Sequence, residues 1–100
     1  MFSFKTEKQD KVVDVTLKGR LDATAAPDLF KEMEGYQGSE IDKIVFHVQE
    51  LEYIASAGLR VIIFTKQKVG QNAEVQMEGA NEMVRSVLEM TGCDSFVDLI

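Results

Sequence analysis

The residue of this chain best placed to carry chemistry is Ser56. It stands in the run Leu51-Glu52-Tyr53-Ile54-Ala55-Ser56-Ala57-Gly58-Leu59-Arg60-Val61-Ile62-Ile63-Phe64, where an apolar, strand-like segment passes through three small residues and a glycine into an apolar helical one. A serine at such a strand-to-helix turn has two uses for one hydroxyl. As an N-cap it accepts a hydrogen bond from an unpaired amide of the first helical turn. As a free oxygen at the positive end of a helix dipole, with amides pointing at it, it is also a place where a phosphate is welcome.

Other reactive combinations are sparse. Cys93 as a nucleophile with His47 as its base would need the fold to join them, and Cys93 follows a helix C-terminus, whose dipole disfavours a thiolate. His47, at the end of an apolar strand, reads as a structural histidine able to titrate near neutral pH. One histidine and one cysteine make no metal cluster of the usual ligand types. No Gly-rich phosphate cradle, nucleophile elbow or paired-acid motif is present, so the sequence does not read as an enzyme and implies no metal or cofactor of its own. Asp22 has the bland reading of a solvated or turn-capping aspartate.

The elements that must position Ser56 follow from periodicity. Phe2 to Glu7 alternates as a half-buried strand, Lys8 to Lys11 reads as a turn, and Val12 to Lys18 as a second strand with Val13, Val15 and Leu17 on one face. The two should pair antiparallel. Gly19 to Ala26 reads as a loop with Thr24 as N-cap, and Pro27 falls in the first turn of a helix whose apolar stripe is Leu29, Phe30 and Met33. That helix stops near Gly35, and Gly38-Ser39-Glu40 connects to a strand at Ile41 to Val48, where Ile44-Val45-Phe46 suggests cover on both faces. A helix of roughly Ala57 to Val69, ended by Gly70, then leads to a strand near Glu74 to Glu78. Asn81 caps a third helix with Met83, Val84, Val87, Leu88 and Met90 as its stripe, closed by Gly92. Phe96 to Ile100 is a short strand or a docked segment. Two successive strand-helix-strand units imply parallel pairing.

At 100° per residue, Leu59, Ile62 and Ile63 should face the sheet, leaving Val61 and Phe64 on the opposite side beside Arg60 and Lys68. Exposed, they would extend the Ser56 region into a protein-binding face; the alternative is that they lie beneath a neighbouring helix or are simply scattered surface residues.

One hundred residues suit one domain, here residues 1–100, and 45% hydrophobic with 28% charged residues is the profile of a folded globular chain. Eleven basic against seventeen acidic residues, a net charge of −6, disfavour nucleic acid and anionic lipid and suit a basic protein partner. No apolar run approaches membrane-spanning length and no secretion signal is recognisable, so no membrane insertion is expected. A lone Cys93 fits a reducing cytoplasm.

The run Tyr53-Ile54-Ala55-Ser56-Ala57-Gly58-Leu59-Arg60-Val61, with Gly19-Arg20-Leu21-Asp22, the stretch Thr24 to Leu29 and Val87-Leu88-Glu89-Met90-Thr91-Gly92, resembles the STAS domain family, in particular bacterial anti-sigma factor antagonists. The resemblance covers nearly the whole chain. It implies a single α/β STAS-like domain with a mixed, mostly parallel sheet of about four to five strands and helices mainly on one face. It further implies a bacterial cytoplasmic regulator that binds an anti-sigma factor while unphosphorylated and is released once that factor, also a serine kinase, phosphorylates Ser56. A serine phosphatase would reverse the mark, and ATP belongs to the kinase. On this reading Asp22, Tyr53, Ala55, Ala57, Gly58, Arg60, Val61 and Phe64 form the partner-binding face of a monomer or weak dimer. The family more often has Asp-Ser-Ser-Gly or Ser-Ser-Ala-Gly where this chain has Ala55-Ser56-Ala57-Gly58, and often an aspartate where it has His47. Two other readings stand beside this one: an unphosphorylated STAS adaptor subunit of a transporter or other assembly, and a small-molecule or nucleotide binder using the turn amides.

Overall fold

A computed structural model describes residues 2–36, 41–69 and 73–100. Five strands form one sheet in the order of the chain: β1 (Ser3–Gln9), β2 (Val12–Leu21), β3 (Lys43–Ile54), β4 (Glu74–Glu78) and β5 (Asp98–Leu99). The connections from β2 to β5 are helical: α1 (Ala26–Met33), α2 (Ser56–Val69) and α3 (Glu82–Thr91), with a 3-10 turn at Cys93–Ser95. β1 and β2 are antiparallel, joined through a turn in which Asp10 takes φ 56°; every later pair is parallel, as helical crossovers require. The mixed, mostly parallel sheet expected from the sequence is therefore present, and the chain's last segment is a strand.

Alternation along the strands decides which face is covered. Val13, Val15 and Leu17 of β2, Ile44, Phe46 and Val48 of β3 and Val75 and Met77 of β4 join one core cluster with residues of all three helices. Each large apolar side chain so buried contributes about 1.5–3 kcal/mol. Asp14, Thr16, Val45, His47, Gln76 and Glu78 have the other parity, and none belongs to that cluster. Val45 is buried without belonging to that cluster, so the core lies on one face of β3, which corrects the reading of this strand as covered on both faces.

Several local expectations shift for identifiable reasons. β2 runs on to Leu21 because Gly19 absorbs φ 88° beside a register shift against β3, so the first three residues of the segment expected to be loop are strand. Thr24 does not cap α1. The carboxylate of Asp22 accepts from the amides of Thr24 (3.1 Å) and Ala25 (3.0 Å), while its carbonyl accepts from Ala26. Phe30, placed in the apolar stripe, is 38% exposed, and α1 buries Ala26, Leu29 and Met33. In α3 only Val84 and Leu88 are fully buried; Met83 and Met90 face outward. Asn81 caps α3 as expected, accepting from Val84 N at 2.8 Å, and Gly92 closes it at φ 76°. The expected connection Gly38-Ser39-Glu40 and the helix stop at Gly70 lie outside the described residues.

What matters for Ser56 is the joint between β2 and β3. Ala55 N donates to Leu21 O at 2.9 Å, so the ends of these two strands are tied where the chain turns into α2. The β2–α1 loop and the start of α2 therefore emerge side by side at the carboxyl edge of the sheet.

Candidate functional site at the start of the second helix

The carbonyl of Ala55 accepts the first helical bond, from Leu59 N at 3.0 Å. Ala55 is therefore the N-cap and Ser56 the first helical residue, one position further in than the capping role requires. The Ser56 side chain is exposed and makes no hydrogen bond among the described residues. Of the two uses for this hydroxyl, the cap is not realised. The amides of Ser56, Ala57 and Gly58 precede the first intrahelical bond, and the first turn of α2 contains no acidic residue to offset the dipole.

Gly58 is inside the protein. A Cβ there would lie 2.7 Å from Leu21 Cγ and 3.0 Å from Ile54 Cγ1, so the glycine lets the first turn of α2 press onto the ends of β2 and β3. Expected on the partner face, it instead holds that face in place. Val61, expected to point outward, is also buried: α2 packs against α1 as well as the sheet, and its covered arc is Gly58, Leu59, Val61, Ile62, Thr65 and Val69. Of the options for Val61 and Phe64, cover by a neighbouring helix holds. Phe64 is half-buried, its ring 4.4 Å from that of Phe30.

The same packing leaves an apolar groove of about 290 Å³ between α1 and the first turns of α2, lined by Ala23, Ala26, Pro27, Phe30, Ala57, Arg60 and Val61. Ser56 lies just outside it, next to Ala57. Arg60 is exposed and forms no ion pair among the described residues. Tyr53, half-buried near the end of β3, carries the Arg20 guanidinium 4.4 Å from its ring centroid. Phe30 and Arg20 are the residues of this region that the sequence reading missed as surface features. Arg20 had one signal, its place in Gly19-Arg20-Leu21-Asp22; Phe30 had none, since its neighbours Leu29 and Met33 share its hydrophobicity.

A second polar constellation lies on the open face of the sheet, where neighbouring strands bring together residues far apart in sequence. His47 Nε2 is 2.9 Å from Asp14 Oδ1 and its Nδ1 is 3.0 Å from Glu78 Oε1, with Gln49 donating to the same Glu78 oxygen at 2.8 Å. Ionised carboxylates only accept, so both ring contacts are hydrogen bonds only when the imidazole carries both protons. The bond to Asp14 is the main cause raising the His47 pKa, partly opposed by burial and reinforced by Glu78. Glu78 is held below its usual value first by Gln49 and then by His47. Cys93, by contrast, is buried beyond α3 and has no contact with His47.

Residues 3–100 match the family model for the STAS domain. The chain belongs to the STAS domain family. Its relatives include the anti-sigma-B factor antagonist of Staphylococcus aureus, 25% identical over 91 residues that span 90% of this chain and 84% of that protein. Among solved structures, an anti-sigma factor antagonist from Mycobacterium paratuberculosis superimposes with a TM-score of 0.86 at 22% identity, covering 99% of this chain and 85% of the other. The Bacillus cell fate determinant SpoIIAA in its phosphorylated form superimposes with a TM-score of 0.73 at 14% identity, over 98% and 91% of the two chains. At these identities the structural likeness establishes the STAS fold, and the roles of single residues rest on the geometry above.

Proposed function

We propose that this STAS domain is an anti-sigma factor antagonist, a binding protein rather than an enzyme, switched by phosphorylation of Ser56. Unmodified, it binds an anti-sigma factor through the groove and the rim around Ser56, freeing the sigma factor for transcription. The partner, acting as a serine kinase, directs the Ser56 hydroxyl at the γ-phosphorus of its own bound ATP: the Oγ–P bond forms, the bond to the β-phosphate oxygen breaks, ADP leaves and a base of the kinase takes the hydroxyl proton. The phosphorylated domain then lets go. A serine phosphatase resets it.

The observation that carries this reading is the Ser56 hydroxyl itself, exposed, free of any structural hydrogen bond among the described residues, and set between unpaired amides and an apolar groove. A phosphate there adds about −1.5 to −2 charge, part of which the helix N-terminus offsets, so it changes the surface while leaving the fold intact. The names of the relatives, anti-sigma-B factor antagonist in Staphylococcus aureus and SpoIIAA solved in a phosphorylated form, agree with it. The test is incubation with the cognate anti-sigma factor and ATP followed by mass spectrometry. One added phosphate on a peptide containing Ser56, absent from Ser56→Ala, supports the switch. A partner that binds equally well before and after ATP, with Ser56 unmodified, points to an adaptor instead.

A further inference from the structure

Resting on the antagonist reading, a more specific question is how a phosphate on Ser56 dislodges a partner from a groove that Ser56 does not line. We propose that Arg60 is the element through which the phosphate is read. In the unmodified domain its guanidinium holds a carboxylate of the partner, from a segment whose neighbouring apolar side chain enters the groove. In the phosphorylated domain the same guanidinium turns to the phosphate.

The placement supports both halves. Among the described residues Arg60 is the one charged residue lining the groove, beside Ala23, Ala26, Pro27, Phe30, Ala57 and Val61. An occupant that suits it is an apolar side chain flanked by an acid, so that burial and charge are satisfied together. Arg60 has no ion pair among the described residues, and is thus available to a partner. Arg20, the other arginine of this region, is engaged over the Tyr53 ring.

Ser56 and Arg60 stand four residues apart on α2. That spacing brings side chains onto one face with Cβ atoms about 5–6 Å apart, within reach of an arginine. A phosphate matches the guanidinium fork and carries more charge than a carboxylate. Because it is tethered to the same helix, it competes intramolecularly, without dilution. Once it has taken Arg60, the groove retains its apolar walls but loses its cation, and the partner's acid faces a phosphate. Release then requires no movement of the backbone.

Two measurements on the isolated domain test this, with phosphoserine installed at position 56 during synthesis so that the outcome does not depend on any kinase. The first is a phosphorus NMR titration of that phosphoserine in the wild-type and Arg60→Gln backgrounds. The phosphate's second pKa, ordinarily about 6, is expected to be lower when Arg60 is present; coincident curves overturn the proposal. The second uses two capped tripeptides as probes, one glutamate or one lysine followed by two leucines, followed by amide shifts of Ala26, Ala57 and Val61. The acidic peptide should bind in the millimolar range and lose about two- to fivefold in affinity on either Arg60→Gln or phosphorylation, in keeping with a solvent-exposed ion pair. Equal binding of the two peptides, or unchanged affinity in both altered proteins, overturns it. A kinase that leaves Ser56 untouched would count against the antagonist reading alone.

Discussion

Asp14 Oδ1 stands 2.9 Å from His47 Nε2, and the opposite ring nitrogen faces Glu78, so one imidazolium clasps β2, β3 and β4 on the open face of the sheet. His47 binds its proton more tightly folded than unfolded, with Asp14 as the main cause. Its contribution is therefore complete below its unfolded pKa of about 6.5 and disappears as pH rises through the higher folded value. Glu78, whose pKa is lowered in the fold, acts in the opposite sense: its contribution is present above the ordinary carboxylate range and is lost as acid protonates it. We predict that the melting temperature of the wild type falls as the pH rises above about 6.5, through the raised folded pKa of His47, and that this step is absent in His47→Gln. Parallel profiles for the two proteins would show that the clasp adds no stability.

Ser56→Ala should be silent in stability. The hydroxyl is exposed and makes no hydrogen bond among the described residues, so urea denaturation should agree with the wild type within about 0.5 kcal/mol. A loss of about 1 kcal/mol or more would mean that the side chain caps α2 in solution after all.

Gly58→Ala should behave in the opposite way. The added methyl would meet Leu21 Cγ at 2.7 Å and Ile54 Cγ1 at 3.0 Å, against side chains that are themselves fully enclosed. Overpacking of this kind costs about 1–3 kcal/mol, more than the helix propensity that alanine adds. A denaturation midpoint well below the wild type is expected, with partner binding weakened only to the extent that α2 shifts.

Phe30→Ala separates surface from core. Its ring is 38% exposed and lies 4.4 Å from Phe64, at the edge of the groove. Partner affinity, read by calorimetry, should fall by about 1–2 kcal/mol, as for an aromatic anchor, while stability falls by less. An unchanged affinity would move the contact surface away from α1.

Most of the frame could be read from local pattern, because its determinants are local. Asn81 and Gly92 delimit α3 as their chemistry dictates, and strands separated by helices had to pair in parallel. What escaped depends on contacts between distant segments. Periodicity left Val61 and Phe64 between an open face and cover by a helix, and only the packing of α1 on the second flank of α2 decides it. Thr24 is not the cap of α1, which has no side-chain cap; Asp22 instead ties the turn ahead of the helix, its carboxylate reaching the amides two and three residues on. Ser56 fell one residue inside its helix, a shift too small for propensity to resolve yet large enough to free its hydroxyl. The His47 clasp was out of reach of the sequence, since its partners are 33 and 31 residues away and meet it only through the sheet register.

The most direct measurement is the affinity of the cognate anti-sigma factor for two preparations of this STAS domain, one unmodified and one carrying phosphoserine at position 56. The account predicts that the unmodified domain binds at least about a hundredfold more tightly, a difference of a few kcal/mol. Equal affinities for the two preparations would contradict it.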